Sequence, residues 1–558
     1  MAESAVIESI QKCIDNKSNF ILDAGAGSGK TYTLVEALKY IISQNSREYK
    51  STGQRIACIT YTNVAVDEIK NRISSDATVH VSTIHGFLWA IIKNHQKEIK
   101  EALITINEKA KNGYYIDNLE EKLCGKKIEY VEYRKVEDGK ISHDDVINIS
   151  SILFEKYSKL SRIVSDMYPV IFVDEYQDTN EKVVQILLDI IAPLYRGKVL
   201  IGLFGDWMQN IYDHGVGRID PEEKMLKHIV KNENYRSSKS IVDVVNNIRL
   251  DISQVPMSKT TGSAKFYYKK SGDIKESLES LKTILKNCDG WDESIKILAL
   301  TKRIIASNSD WGMLYSIYDG YSRKEKNKLF TVDNLLMGED PYGDFYKYVE
   351  DIIFAFKNGV YGELYRIFKS SLKQEKYKNN LTIFKRDLTN VLGELERLCN
   401  IGTIEDVCRY IVCNSIFPRR TDFNHLLSDL ESSRIGVEII KGGPLCYLKD
   451  CRYSEVHSMM QYKNELTPFS TQHGTKGTEY DNVIVVLDEG SWRIYDYESA
   501  ITRNSNGKKN SIYDRSLNIL YVSLSRARNN LAVLMVGPNK GILHTACDIF
   551  GEDNVIEF

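Results

Sequence analysis

The sequence predicts an α/β protein in which two parallel-sheet lobes each carry a mostly helical inserted subdomain. Three observations lead there. Short apolar runs of the kind buried on both faces alternate with helical periodicity from Phe20 onward. That alternation stops at two long stretches rich in lysine and tyrosine and then resumes, at Pro169 and again at Asn482. Finally, 558 residues exceed what one ordinary core holds.

The first strand, Phe20-Ile21-Leu22-Asp23, runs into Ala24-Gly25-Ala26-Gly27-Ser28-Gly29-Lys30-Thr31 and then a helix. This reads as a phosphate-binding loop. Its three glycines let the backbone turn tightly enough to aim N–H groups at an anion, and the helix adds its positive end. Lys30 is placed to reach the β- and γ-phosphates of ATP, and Thr31 to ligate Mg2+. The first position is Ala24 rather than the usual glycine.

A second buried strand, Arg55 to Thr60, precedes Tyr61-Thr62-Asn63 and a helix. A third, Val79 to Thr83, leads into Ile84-His85-Gly86-Phe87. After a lysine- and tyrosine-rich stretch to about Met167, the strand Pro169 to Val173 ends in Asp174-Glu175. A carboxylate there is placed to hold magnesium, and its neighbour to polarise a water. The strand Val199 to Phe204 ends in Gly205-Asp206-Trp207-Met208-Gln209-Asn210-Ile211-Tyr212, and Asn234-Tyr235-Arg236-Ser237 precedes another helix.

A second unit opens with the strand Ile295 to Leu300 and returns at Asn482 to Leu487 and Leu531 to Met535. The intervening excursion has helical periodicity around Phe345 to Phe356 and Leu388 to Leu398. Within it, Arg366, Lys369, Lys373, Lys376, Lys378 and Lys385 interleave with Tyr365, Phe368, Tyr377 and Phe384. That mixture suits either a nucleic-acid surface or a solvated helix face. The sequence shows no internal repeat.

Composition narrows the function classes. The formal net charge is −2, so nucleic-acid contacts must come from local patches. No apolar run is long enough to span a bilayer, and Met1 to Ala5 lacks a signal-peptide pattern, so a cytoplasmic protein without membrane contact is expected. Among the 10 cysteines, Cys399, Cys408, Cys413, Cys446 and Cys451 fall close together, but not at zinc-ribbon spacing.

Taken in order, these blocks resemble the superfamily 1A DNA helicases of the UvrD, Rep and PcrA type. Ala24 to Thr31 is similar to the first motif, and Thr60 to Arg72 to the one that follows. Asp174 to Asn180, Gly205 to Tyr212 and Asn234 to Ser237 resemble the second to fourth. Thr471-Gln472-His473-Gly474-Thr475-Lys476-Gly477-Thr478-Glu479-Tyr480 resembles the fifth, and Leu520 to Arg528 the sixth. The Ala-Gly-Ala-Gly-Ser-Gly-Lys-Thr loop, irregular by the general pattern, is common in that family.

The resemblance implies RecA-like lobes: 1–87 with 168–228 and 229–335 with 456–558, carrying insertions at 88–167 and 336–455, the second one shortened. It also implies roles. Lys30 and Thr31 would serve phosphate and magnesium, Asp174 magnesium, Glu175 the attacking water, and Gln209 the γ-phosphate. Arg236 and Arg526 would be arginine fingers, Tyr235 would stack on adenine, and Glu479 would face the ribose. Tyr61, Thr62, Asn63, Thr83, His85, Phe87, Tyr212, His214, Thr471 and His473 would meet DNA.

Departures are visible too. Where the family usually carries an aromatic, an arginine and a glycine after Ile211-Tyr212, this chain has Asp213, His214 and Gly215, and Gln11 is offset from the glutamine that reads adenine. No nuclease signature follows the sixth motif. The leading expectation is an ATP- and Mg2+-dependent translocase or helicase on single-stranded or partly duplex DNA, moving 3′ to 5′. The alternative is an ATP- or DNA-end-sensing regulatory subunit of a separate nuclease, with little processive unwinding. Shortened members of the family occur beside nucleases in bacterial antiviral systems such as Gabija. A P-loop protein unrelated to DNA would require the later motifs to be accidental.

Overall fold

The computed structural model describes residues 2–110, 115–212, 214–292, 294–325, 330–340, 342–378, 380–418, 423, 448–490, 492–504 and 510–558. Asp213 and Cys446, singled out in the sequence, lie outside them.

Two six-stranded sheets organise the chain. The first holds β1 (Phe20–Ala24), β2 (Ile56–Thr60), β3 (Val79–Thr83), β4 (Val170–Asp174), β5 (Leu200–Gly205) and β6 (Lys227–Lys231). Its spatial order is β3-β2-β4-β5-β1-β6, and every pairing is parallel. The second holds β7 (Ser263–Lys269), β8 (Ile295–Ala299), β9 (Phe469–Thr471), β10 (Tyr480–Val486), β11 (Ala527–Val536) and β12 (Val555–Glu557). Its order is β9-β8-β10-β11-β7-β12, again parallel throughout. Strand for strand the two orders are the same, so the fold repeats where the sequence shows no repeat.

The central strands β1, β2, β4 and β5 are buried along their whole length, as apolar runs covered on both faces should be. β6 crosses the boundary anticipated at 228/229 and pairs with β1 from Phe20↔Lys227 to Ala24↔Lys231.

The stretch before β4 folds mainly as helices, including Gln96–Glu108, His143–Lys156 and Ser158–Met167, that share a core with one face of the first sheet. The stretch between β8 and β9 contributes Gly343–Lys357 and Leu381–Ile401 to a core shared with the second sheet. In the interleaved basic-aromatic segment, Phe368, Tyr377 and Phe384 are buried in that core, while Arg366 and Lys376 pair with Glu363 and Asp387 at 2.8 Å each. Three of the four rings there are core, Tyr365 is exposed, and the cations form a solvated face. A further apolar cluster joins Ala26, Met208 and Ile211 of the first lobe to Ile241, Val245, Leu520 and Leu524 of the second. No helix among the described residues is long and apolar enough to cross a membrane.

Candidate nucleotide cleft and nucleic-acid face

Parallel α/β sheets place ligands at the carboxyl ends of their strands, and the expected nucleotide residues gather there. Ala24 closes β1 and Gly25 to Thr31 follow it, Asp174 and Glu175 close and follow β4, and Gln209 follows β5. Tyr235 and Arg236 come four and five residues after β6 ends. Together with Glu479 and Arg526, which lead into β10 and β11, all of these but the buried Ala24, Gly25 and Ala26 line one cleft of about 690 Å³.

The loop's shape depends on glycine at specific points. Gly27 has φ +75°, and a Cβ there would meet Arg236 Cβ at 2.7 Å; Gly29 has φ +79° and starts the helix Lys30–Thr52. A Cβ on Gly25 would strike the Gln254 side chain at 2.2 Å. These contacts cross the lobe boundary. Gln254 and Asn234 both donate to Ala26 O at 3.0 Å, and the Tyr235 N–H donates to Gly27 O at 2.9 Å. The second lobe is therefore packed directly on the phosphate loop.

The chemistry of the cleft suits an anion and a cation. Lys30 is buried, with Nζ 3.5 Å from Ala24 O. Asp174 Oδ1, Asp178 Oδ1, Ser28 Oγ and Thr60 Oγ1 are buried with no hydrogen-bond partner. Burial, and then the negative Glu175, push Asp174 upward against the pull of Lys30. Burial pushes Asp178 up to about 6, although Lys476 opposes it. Burial acts on Glu175 too, but Lys30, Lys476, the hydrogen bond from Gln177 Nε2 at 2.5 Å and Arg526 outweigh it and hold the carboxylate below its usual range. Glu175 has φ +50°, a left-handed conformation costly for a residue with a Cβ. Burial and the neighbouring Arg236 hold the Arg526 guanidinium down at about 9. A buried cation held down by another beside it favours an anion near both. The oxygen donors Asp174 and Thr31 fit the hard, oxygen-seeking Mg2+, and the glycine cradle, Lys30 and the exposed Tyr235 ring fit a nucleoside triphosphate.

Some roles are already occupied by protein groups. Arg236 donates from Nε to Glu479 at 2.6 Å and from Nη1 to Ser525 O at 3.2 Å. Arg528 also pairs with Glu479, at 3.0 Å. Arg526 donates to Val522 O, Thr478 O and Ser525 Oγ.

Of the residues expected to meet DNA, Tyr61 and Tyr212 are exposed and stack on one another, rings 5.7 Å apart and 13° from parallel. Both reach the same cleft. Asn63 and His214 are exposed. Thr62 accepts from Ala65 N, Thr83 from Gly86 N and Thr471 from Gly474 N, so each hydroxyl closes a turn or caps a helix. His85 stacks on His143 at 4.6 Å. Phe87 is a correction: it is 2% exposed and packs on Tyr168, because it lies on the apolar face of the helix Ile84–Ile92. It offers a ligand nothing.

Sequence reasoning overlooked Trp492. It is 41% exposed and stacks on Tyr495, which hydrogen-bonds His473 through its hydroxyl at 2.7 Å. An exposed tryptophan beside an expected DNA-contacting histidine was the available signal. It also overlooked Gln254 and Arg249, and gave no role to Asp206 and Tyr521 within their motif blocks; all four have partners distant in sequence.

A family described as an AAA domain matches residues 7–214. Gabija protein GajB of Bacillus cereus (strain HuB5-5) is 29% identical to this chain, over 99% of the chain and 98% of that protein. ATP-dependent DNA helicase Rep of Buchnera aphidicola subsp. Baizongia pistaciae (strain Bp) is 22% identical, over 91% and 88%. ATP-dependent DNA helicase PcrA of Staphylococcus aureus (strain Mu50) is 23% identical, over 48% and 43%. Together these likenesses support a UvrD-like superfamily 1 helicase resembling GajB.

Proposed function

We propose, from a UvrD-like chain resembling GajB, that this protein hydrolyses ATP in the inter-lobe cleft and uses the closing and opening of that cleft to move along single-stranded DNA from 3′ to 5′. The observation that carries the reading is the composition of the cleft. Lys30, Asp174, Glu175 and Gln209 follow strands of one sheet, Arg526 leads into a strand of the other, Arg236 stands on the segment that connects the two sheets, and the phosphate loop touches both lobes.

The residues divide the work as follows. The loop N–H groups and Lys30 hold the β- and γ-phosphates, and Asp174 with Thr31 would hold magnesium. Bound magnesium would neutralise charge on the phosphate oxygens. Glu175 accepts a hydrogen bond from the attacking water, a role that suits a carboxylate kept ionised by nearby cations. Arg236 gives up Glu479, and Arg526 its carbonyl partner, to meet charge that develops in the transition state. Tyr235 offers the base a ring face. Because the fingers belong to the second lobe, hydrolysis requires closure, and loss of the γ-phosphate removes what held the lobes together.

The strand would lie across the carboxyl-end loops of both sheets, with Tyr61, Tyr212 and Trp492 as stacking faces and Asn63, His214 and His473 as polar contacts. The test is displacement of a bulky block from one end of a single strand. ATP-dependent displacement from the 5′ end alone supports the stated direction; displacement from the 3′ end alone, or none, contradicts it.

Similarity to GajB along nearly the full length of both chains favours a second reading: ATP- or DNA-end sensing that controls a separate nuclease in antiviral defence, with little unwinding. Strand displacement with and without a candidate nuclease separates the two. Nuclease activity that changes with ATP while duplex stays intact selects the second.

A further inference from the structure

Asp206 follows β5 in the first lobe, and its carboxylate is fully buried together with the guanidinium of Arg249 from the second lobe. Arg249 closes the helix Lys239–Ile248, an apolar segment with no obvious use for a buried cation. Its Nη1 donates to Asp206 Oδ1 at 2.6 Å and to the Tyr521 hydroxyl at 3.1 Å, while Nε donates to Asp251 at 2.8 Å. The Tyr521 hydroxyl donates to Asp206 Oδ2 at 3.0 Å and accepts the Ala26 N–H of the phosphate loop at 2.9 Å. The same Oδ2 accepts from Gln209 Nε2 at 2.8 Å, and Oδ1, which Arg249 meets, also accepts from the Met208 N–H at 3.2 Å.

We infer that Arg249 is a positioning residue: by pinning Asp206 across the lobe boundary, it orients the Gln209 amide toward the terminal phosphate only when the lobes are closed. The inference rests on the reading of Gln209 as the residue facing that phosphate. A carboxylate can face only the N–H side of an amide, so Asp206 fixes which way the Gln209 head group points. It leaves the second N–H and Oε1 of Gln209 for the cleft, which Gln209 lines. Asp206 could not hold that geometry as a lone buried charge; it needs a cation, and the cation arrives with the other lobe. When the lobes part, the pair must separate and take up water, so the sensor loses its orientation as the fingers leave. Tyr521 extends the same network to the loop's own backbone.

The full-length protein carries the test. Arg249→Met is expected to lower kcat for ATP hydrolysis about 10- to 100-fold, the range seen when an outer partner that orients a reacting group is removed, with KM for ATP changed by no more than about twofold. Arg249→Lys, which keeps the charge toward Asp206, recovers most of the loss. Arg249→Met in a Gln209→Ala background slows turnover no further, because the amide it positions is gone. Losses that multiply in the double variant, or a kcat unchanged in Arg249→Met, overturn the inference. If Arg249→Met does not fold, Arg249→Gln, which also removes the charge toward Asp206, takes its place in the cycle with Gln209→Ala. Amide exchange at Ala26 and Met208 reads the network without turnover, so it still reports if the protein proves not to hydrolyse ATP. Faster exchange at both positions in the Arg249 variant is expected, and unchanged exchange contradicts the coupling.

Discussion

Lys476 of the second lobe reaches Asp178 of the first, with its Nζ 2.5 Å from Oδ2 and 2.6 Å from Gln209 O. The pair is almost wholly buried and ties the loop after β9 to the two acidic and sensing segments of the nucleotide cleft. It is one of the cross-lobe contacts that would have to form and break in each cycle.

Removing one partner of a buried pair strands the other. Lys476→Met is expected to destabilise the protein by about 3 kcal/mol, seen as a lower thermal midpoint. Asp178→Asn in the same chain should restore much of it. A midpoint that falls further in the double variant contradicts the pairing.

Glu175 has the task of orienting water, not of holding nucleotide. Glu175→Gln should keep nucleotide affinity and lose turnover by about 10²- to 10⁴-fold, measured by equilibrium binding of ATP beside steady-state hydrolysis. Loss of binding with the same fall in turnover would make the carboxylate a structural part of the β4 turn instead.

The expected DNA face divides into residues that are free to stack and residues that are not. Trp492→Ala should weaken single-strand binding by about 1–3 kcal/mol in a fluorescence anisotropy titration, leaving ATP affinity unaltered. Equal affinity in variant and parent would take Trp492 off the strand's path.

One ion pair, between Glu350 of the second insertion and His457 just beyond it, gives a pH signature. A hydrogen bond from His457 Nδ1 to Glu350 at 2.8 Å raises the imidazole above its ordinary value, with burial and Lys357 opposing. A histidine raised on folding stabilises the protein fully below its unfolded pKa, near 6.5, and that gain fades as pH climbs through the folded value. The thermal midpoint of Glu350→Gln should therefore fall below the parent at pH 6 and approach it at pH 8. A gap that widens toward pH 8 would reverse the sign.

Much of the nucleotide cleft was legible because its residues travel in short blocks, each at the end of an apolar run. The central strands were legible for the same reason. An edge strand was harder: β6 reads Lys-His-Ile-Val-Lys with only Ile229 and Lys231 buried, since an edge strand can leave polar groups in water; β7, one strand in from the edge of the second sheet, mixes tyrosines and lysines. Phe87 was misplaced although Ile84, Phe87, Leu88 and Ile91 carry the spacing of a buried helical face. Arg249 left no local trace, because its partners Asp206 and Tyr521 stand 43 and 272 residues away.

The claim at the centre is that closure of two lobes on DNA completes one ATP site. Steady-state ATP hydrolysis by the purified chain, with and without single-stranded DNA and in parent and Arg236→Ala protein, tests it most directly. The expected rate rises with DNA in the parent and falls about 10³-fold or more without the Arg236 guanidinium. A parent rate indifferent to DNA, or an Arg236→Ala rate equal to the parent's, would contradict it.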